Sequence, residues 1–137
     1  MATNAITALG TVVTFDSATI GEIMSLTGNR SCRIIDILSC DSTNSAVEKI
    51  AGALNEGDVT VHIVYDGSSG GVYNTLNTKY QARTKGTLLI TYSDTSSHSI
   101  DAIISSLGTP SFSEGDGTVE LDVTFALSGS ATFTDVV

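Results

Sequence analysis

Apolar and polar residues alternate over residues 118 to 127, Ala126 apart, within the stretch GTVELDVTFAL. Val119, Leu121, Val123, Phe125 and Leu127 fall on one side of an extended chain, and Thr118, Glu120, Asp122 and Thr124 on the other. That period predicts a strand with one buried face. A strand covered on both sides would not carry Glu120 and Asp122 without partners, so its polar side meets water or a water-filled space.

The same reading divides the rest of the chain into short strand-like runs punctuated by Gly, Asp, Asn and Ser. Residues 6 to 15 and 18 to 27 flank Asp16-Ser17 and predict a hairpin of two long strands. Residues 33 to 39 predict a third strand, and the polar link CDSTNS follows. In AVEKIAGAL, Val47, Ile50, Ala51 and Leu54 stand at helical spacing, which predicts one or two helical turns or an ordered loop. Residues 58 to 65 return to period two, with Val59, Val61, Ile63 and Tyr65 inward. Val72, Tyr73, Leu76 and Tyr80 recur at three- and four-residue steps, predicting a helix over about residues 71 to 83, closed by Gly86. Strands are expected again at 87 to 93, 98 to 107 and 117 to 127, with a final short run, ATFTDV. The fold class expected is mainly β, a β-sandwich or split barrel with one flanking α-helix.

Composition sharpens this picture in three ways. A chain of 137 residues is read as a single domain spanning residues 1 to 137. Only 6% of residues are aromatic, so the expected core is built of β-branched residues and leucine. Fifteen acidic residues oppose six basic ones, a formal charge of -9, which argues against holding nucleic acid by neutralising its phosphates. The amino terminus shows no signal-peptide pattern, and no apolar run approaches the ~20 residues that cross a bilayer, so no membrane insertion is expected. If residues 32 to 40 form one strand, Cys32 and Cys40 lie about 26 Å apart at ~3.3 Å per residue, so reduced thiols are expected. Asn29-Arg30-Ser31 matches a glycosylation sequon but has no secretory context.

Candidate chemistry is sparse. Gly67-Ser68-Ser69-Gly70-Gly71 fits G-x-S-x-G between a strand and a helix, with Asp94 and His98 following in nucleophile, acid, base order. The pattern arises easily in a Gly/Ser turn, no parallel α/β sheet is predicted to carry it, and Asp94 and His98 share one short loop. A flexible strand-to-helix connection is the better reading, and no enzymatic activity is expected. His62, Asp94 and His98 form the only imidazole and carboxylate set for a metal, without ligand spacing; His62 reads as a wet surface residue. The acidic turns 55 to 58 and 114 to 117 lack the spaced oxygens of a calcium loop and read as hairpin turns. No phosphate cradle is present, and no cofactor is expected.

The order of pieces, rather than any one motif, carries a resemblance. GTVVTFDSATIGEIMSLTG, RIIDILSCDST, IAGALNEGDVTVHIVYD, YNTLNTKY and LGTPSFSEGDGTVELDVTFALSGSATF, over residues 9 to 134, together resemble the tail tube proteins of long-tailed bacteriophages. The carrying features are the IDxxxxDST link, the Gly-Asp-Val strand and the closing VxLDVTFxLSG followed by ATF. The link departs from the family pattern at Cys40 and over residues 44 to 49. The resemblance implies a structural virion protein, with homo-hexameric rings stacked into a hollow tail tube assembled in the bacterial host cytoplasm. It implies tape-measure, tail terminator and tail tip proteins as partners, and transient, non-specific passage of double-stranded DNA. It also implies an arm over about residues 40 to 57 that reaches a neighbouring ring, including Asp41, Ser42, Thr43, Val47, Ile50 and Leu54. Tube proteins of contractile tails and type VI secretion share the fold and stay open as alternatives, as does a β-sandwich ligand-binding module.

Within that resemblance the polar strand face acquires a candidate role. If each of six subunits gives about four strands to an inner barrel, roughly 24 strands at ~4.8 Å and ~40 to 45° of tilt make a backbone diameter near 50 Å. Side chains narrow this to roughly 40 Å, wide enough for a duplex on the order of 20 Å across with water around it. Glu120, Asp122 and Thr124 are the expected lumen-facing residues, since an acidic wall lets DNA run where a basic one would trap it. Their facing the outside of a tube, or pairing with Lys or Arg across a strand, is the other expectation.

Overall fold

The computed structural model describes residues 10–20, 23–37, 46–67, 69, 71–112 and 117–135. Their elements are β1 (Val12–Phe15), β2 (Ala18–Thr19), β3 (Ile23–Gly28), β4 (Ser31–Ile37), β5 (Glu48–Asn55), β6 (Asp58–Val64), α1 (Val72–Ala82), β7 (Gly86–Thr91), β8 (Ser97–Leu107) and β9 (Glu120–Thr134). Among the described residues seven strands form one antiparallel sheet in the order β2-β1-β7-β8-β9-β6-β3, and β4 and β5 pair only with each other. The architecture is mainly β with one helix, as the residue pattern predicts.

The sheet is curled. β1 and β9 are separated by two strands, so in a flat sheet they would stand ~14 Å apart at ~4.8 Å per step, yet the rings of Phe15 and Phe125 lie 5.1 Å apart. Their contact closes the concave face over Val13, Val61, Ile63, Leu88, Ala102, Leu121 and Val123, all buried. Leu76 of α1 enters the same core, and Lys79 Nζ bonds Asp16 Oδ2 at 2.5 Å, tying the helix to the β1–β2 turn. Fourteen residues make up this buried cluster, and Phe15 and Phe125 are its only aromatic members, so β-branched residues and leucine dominate.

Four elements differ from the expectations. The Asp16-Ser17 turn exists, with both residues at positive φ (52° and 69°), the geometry of a two-residue hairpin. However, β2 lasts two residues, and β3 crosses to pair with β6. Ile20, Ile23 and Leu26 are three apart and could not share one face of a continuous strand. With β2 ending at Thr19 and β3 bulged between Ile23 and Ser25, Ile20 is buried in the core and Ile23 and Leu26 pack against it.

AVEKIAGAL is not helical: Glu48–Asn55 is strand β5. Cys32 pairs with Leu54 and Ile34 with Ala51, so a bulge puts Ala51 and Leu54, three apart, on one face. The helix-like spacing is a bulged strand's spacing. The expected separate strands 117 to 127 and ATFTDV are one strand of 15 residues. Its Ser-Gly-Ser break is absorbed by an irregularity in the β8 pairing between Ser99 and Asp101, with Gly129 at φ 85°. Finally, α1 ends at Ala82 because Arg83 adopts the left-handed conformation (φ 58°), and Gly86 instead opens β7, where a Cβ would press on the Phe15 ring at 3.0 Å. Tyr65 is part-exposed rather than inward and packs edge-on against Tyr73.

Candidate functional site: the polar sheet face and the projecting ribbon

Two features carry no role in the core. The first is the outer face of β6 and β9. Leu121, Val123 and Phe125 are buried, so Glu120, Asp122 and Thr124 must project from the opposite face. Antiparallel register sets Thr124 opposite Thr60 and Asp122 opposite His62. The hydroxyls of Thr60 and Thr124 meet at 3.3 Å. His62 stands between the two acids, with Nδ1 2.5 Å from Asp122 Oδ1 and Nε2 2.7 Å from Glu120 Oε2. The Thr118 hydroxyl donates to Glu120 Oε1 at 2.9 Å. Hydrogen bonds from His62 and then Thr118 hold the Glu120 carboxyl below its ordinary range, against some desolvation. Bonds to Asp122 and then Glu120 hold the His62 imidazole above its ordinary value. The acids thus have a cross-strand partner, but it is histidine rather than the Lys or Arg weighed from sequence.

The second feature is the β4–β5 ribbon. Both of its faces are exposed: Ile34, Ile35, Ile37, Ile50 and Val47 are open to solvent, and Leu54 is 68% exposed. Asp36 and Lys49 pair across it at 2.6 Å. A two-stranded ribbon with no covered apolar face is at best marginally stable by itself. Of the arm residues expected from sequence, Val47, Ile50 and Leu54 lie on this ribbon, while Asp41, Ser42 and Thr43, like Cys40, lie outside the described residues.

A clamp that sequence reasoning missed holds the ribbon's root. Arg30, between β3 and β4, meets Glu56, between β5 and β6, through two bonds: Nε to Oε2 at 2.5 Å and the terminal nitrogen to Oε1 at 3.1 Å. The Glu56 side chain is only 3% exposed, and the arginine bond holds its carboxyl below the ordinary range. Gly57 sits at φ 72°, where a Cβ would lie 2.2 Å from the Asn29 carbonyl oxygen, and its own carbonyl accepts from Leu127 N–H at 3.0 Å. The pair borders a cleft of about 250 Å³ lined by Leu26, Leu88, Ile90, Tyr92 and His98 among others. The turn at residues 55 to 58 was legible as a turn; the inward aim of its glutamate was not.

The remaining candidates are not brought together. Asp94 Oδ1 accepts from Ser96 N–H and Oγ at 3.0 and 2.6 Å, capping its own turn. His98 Nδ1 lies 3.3 Å from the Tyr92 hydroxyl, and its ring packs on Phe133. Ser69 is exposed, and its neighbours Ser68 and Gly70 lie outside the described residues. His62 is engaged with Glu120 and Asp122 rather than with Asp94 or His98. Among the described residues no group of three or more His, Cys, Asp and Glu is arranged to hold a metal, and no helix is long and apolar enough to cross a membrane.

With this geometry in view, solved structures sharing the fold are informative. The chain superposes on the tail of an empty gene transfer agent particle, refined helically with C6 symmetry, with a TM-score of 0.76 at 14% identity, covering 96% of this chain and 100% of that one. The chain has the tail tube fold. On the tail tube of SPP1 the TM-score is 0.71 at 12% identity, covering 95% and 79%. On the sheath-tube complex of the PVC extracellular contractile injection system it is 0.74 at 16% identity, covering 97% and 93%. No protein-family model matches the sequence, and none of the curated proteins matches it. The likeness agrees with the tail tube resemblance carried by the order of sequence pieces, and these neighbours are components of tails and tubes rather than enzymes.

Proposed function

We propose that this chain is the tube subunit of a phage tail or phage-like tail, six copies closing into a ring and rings stacking into a hollow conduit for double-stranded DNA. The observation that carries the reading is the match over at least 95% of the chain to three tail or tube assemblies, one of them refined with C6 symmetry. Two local features support it. Among the described residues β3 pairs on one side only, with β6, leaving an edge that ring closure would satisfy. The β4–β5 ribbon presents exposed isoleucines and Leu54 that association with a neighbouring ring would cover. In this reading Glu120, Asp122 and Thr124 face the bore, and Asp41, Ser42, Thr43, Val47, Ile50 and Leu54 belong to the inter-ring arm. Tape-measure, terminator and tip proteins would be the tube's partners in the virion tail.

A second reading, the tube of a contractile injection system, is favoured by the likeness to the PVC sheath-tube complex. Electron microscopy of the purified protein and of the intact particle tests both. Rings or hollow filaments about 50 Å across at the inner backbone support a tube, and a surrounding sheath in the particle selects the contractile form. Monomers that never form rings, in the particle or out of it, reject both readings.

A further inference from the structure

The contacts of His62 demand a proton that an ordinary surface histidine lacks at neutral pH. Each ring nitrogen lies 2.5 to 2.7 Å from a carboxylate oxygen, Nδ1 from Asp122 and Nε2 from Glu120. A carboxylate only accepts hydrogen bonds, and a neutral imidazole carries a single N–H. In the neutral form one nitrogen would therefore aim its lone pair at an anion. Both contacts are attractive only if both nitrogens are protonated, so the geometry is that of an imidazolium. Among the described residues, Ser25, directly opposite on β3, is neutral, and the charged partners of His62 are these two acids.

We propose that His62, Glu120 and Asp122 form a proton-held staple across the outer face of β6 and β9, closed while the imidazole is doubly protonated and opened when it gives up one proton. On opening, one N–H proton passes to solvent, the ring nitrogen keeps the bonding pair as a lone pair, and the carboxylate facing it loses its donor. The face of each subunit then goes from one net negative charge to two. In six-fold copies this makes wall charge a function of pH, a corollary that rests on the bore assignment; the staple itself does not.

The linkage runs in two directions. Hydrogen bonds to Asp122 and then to Glu120 raise the His62 pKa above 6.5, so this stabilisation is fully present below 6.5 and is lost as pH rises through the higher folded-state value. The Glu120 pKa is lowered below 4.5, so its contribution is present above 4.5 and is lost as pH falls through the lower folded-state value. The staple is fully closed between these limits.

Imidazole ¹⁵N spectra of the full-length labelled chain, in solution or by magic-angle spinning of assemblies, read the proton directly, with His62→Gln assigning the signals. At pH 7 the wild type should show both His62 nitrogens protonated in the majority of molecules. In the Glu120→Gln/Asp122→Asn variant the charged fraction should fall at least twofold, to about the quarter expected of an unperturbed histidine. A neutral single tautomer in the wild type, or equal titration midpoints in the two proteins, would overturn the proposal. As a second readout, the Tm difference between wild type and His62→Gln should shrink between pH 6 and 9; a difference constant across that range also overturns it. Neither measurement depends on whether the protein forms tubes.

Discussion

Arg30 and Glu56 join the two chain segments that enter and leave the β4–β5 ribbon, through bonds of 2.5 and 3.1 Å. Because one connection leads into β4 and the other out of β5, the pair acts where the ribbon leaves the curled sheet. Arg30→Ala leaves the buried Glu56 carboxylate without its cation. Thermal melts should show a Tm lower by several degrees. The deficit should vanish at acid pH, because the Glu56 pKa is lowered and its stabilisation is lost as pH falls through the folded-state value, below 4.5.

Gly57 is the backbone counterpart of that clamp. Gly57→Ala would force a Cβ to 2.2 Å from a carbonyl oxygen at a φ of 72°. A loss of about 1–3 kcal/mol is expected in urea unfolding, more than at Gly117, where positive φ is the only strain because no atom lies within 4 Å.

The Phe15–Phe125 contact closes the curl, and Phe125 is fully buried. Phe125→Ala should cost about 3–5 kcal/mol by chemical denaturation, as large-to-small changes in tight cores do. Phe112, 77% exposed, should tolerate the same change within about 0.5 kcal/mol.

Ribbon substitutions should separate folding from assembly. Ile50→Ser and Leu54→Ser lie on exposed positions, so subunit stability should change by no more than about 0.5 kcal/mol. If the protein stacks into rings as proposed, stacking followed by sedimentation or electron microscopy should weaken at least tenfold. Unaltered stacking in the double variant would remove the ribbon from the interface.

Charge reversal on the outer face, Glu120→Lys with Asp122→Lys, replaces both partners of His62 by like charges. On the proposed tube reading, tubes should still assemble, since the core face of β9 is untouched, while DNA ejection measured on whole particles slows or stalls. Normal ejection kinetics would take these residues off the bore.

Much of the fold was legible because burial writes a period into strands that face a core on one side. Val59, Val61 and Ile63, and Leu121, Val123 and Phe125, sit where period two puts them, and Val72 to Ala82 is helical as its three- and four-residue steps imply. The misreading of AVEKIAGAL has a local cause: Ala51 and Leu54, three apart, share a face because a bulge inserts a residue, and a bulge imitates a helix in a short window. Local pattern could place Glu120 and Asp122 on the polar face, but not His62 between them. That contact joins residues about sixty positions apart and depends on a register set by the whole sheet. The Arg30–Glu56 clamp was hidden for the same reason.

β9 pairs on both sides from Val123 to Ala126, with β6 and with β8, and continues along β8 to Thr134. A pull along its axis therefore loads the rungs of two ladders together, in shear. β2, two residues long and, among the described residues, strand-paired with β1 alone, would peel one rung at a time. Mechanical strength in this subunit is concentrated in the strand that carries the acids, and a stretched molecule should yield first at its amino-terminal hairpin.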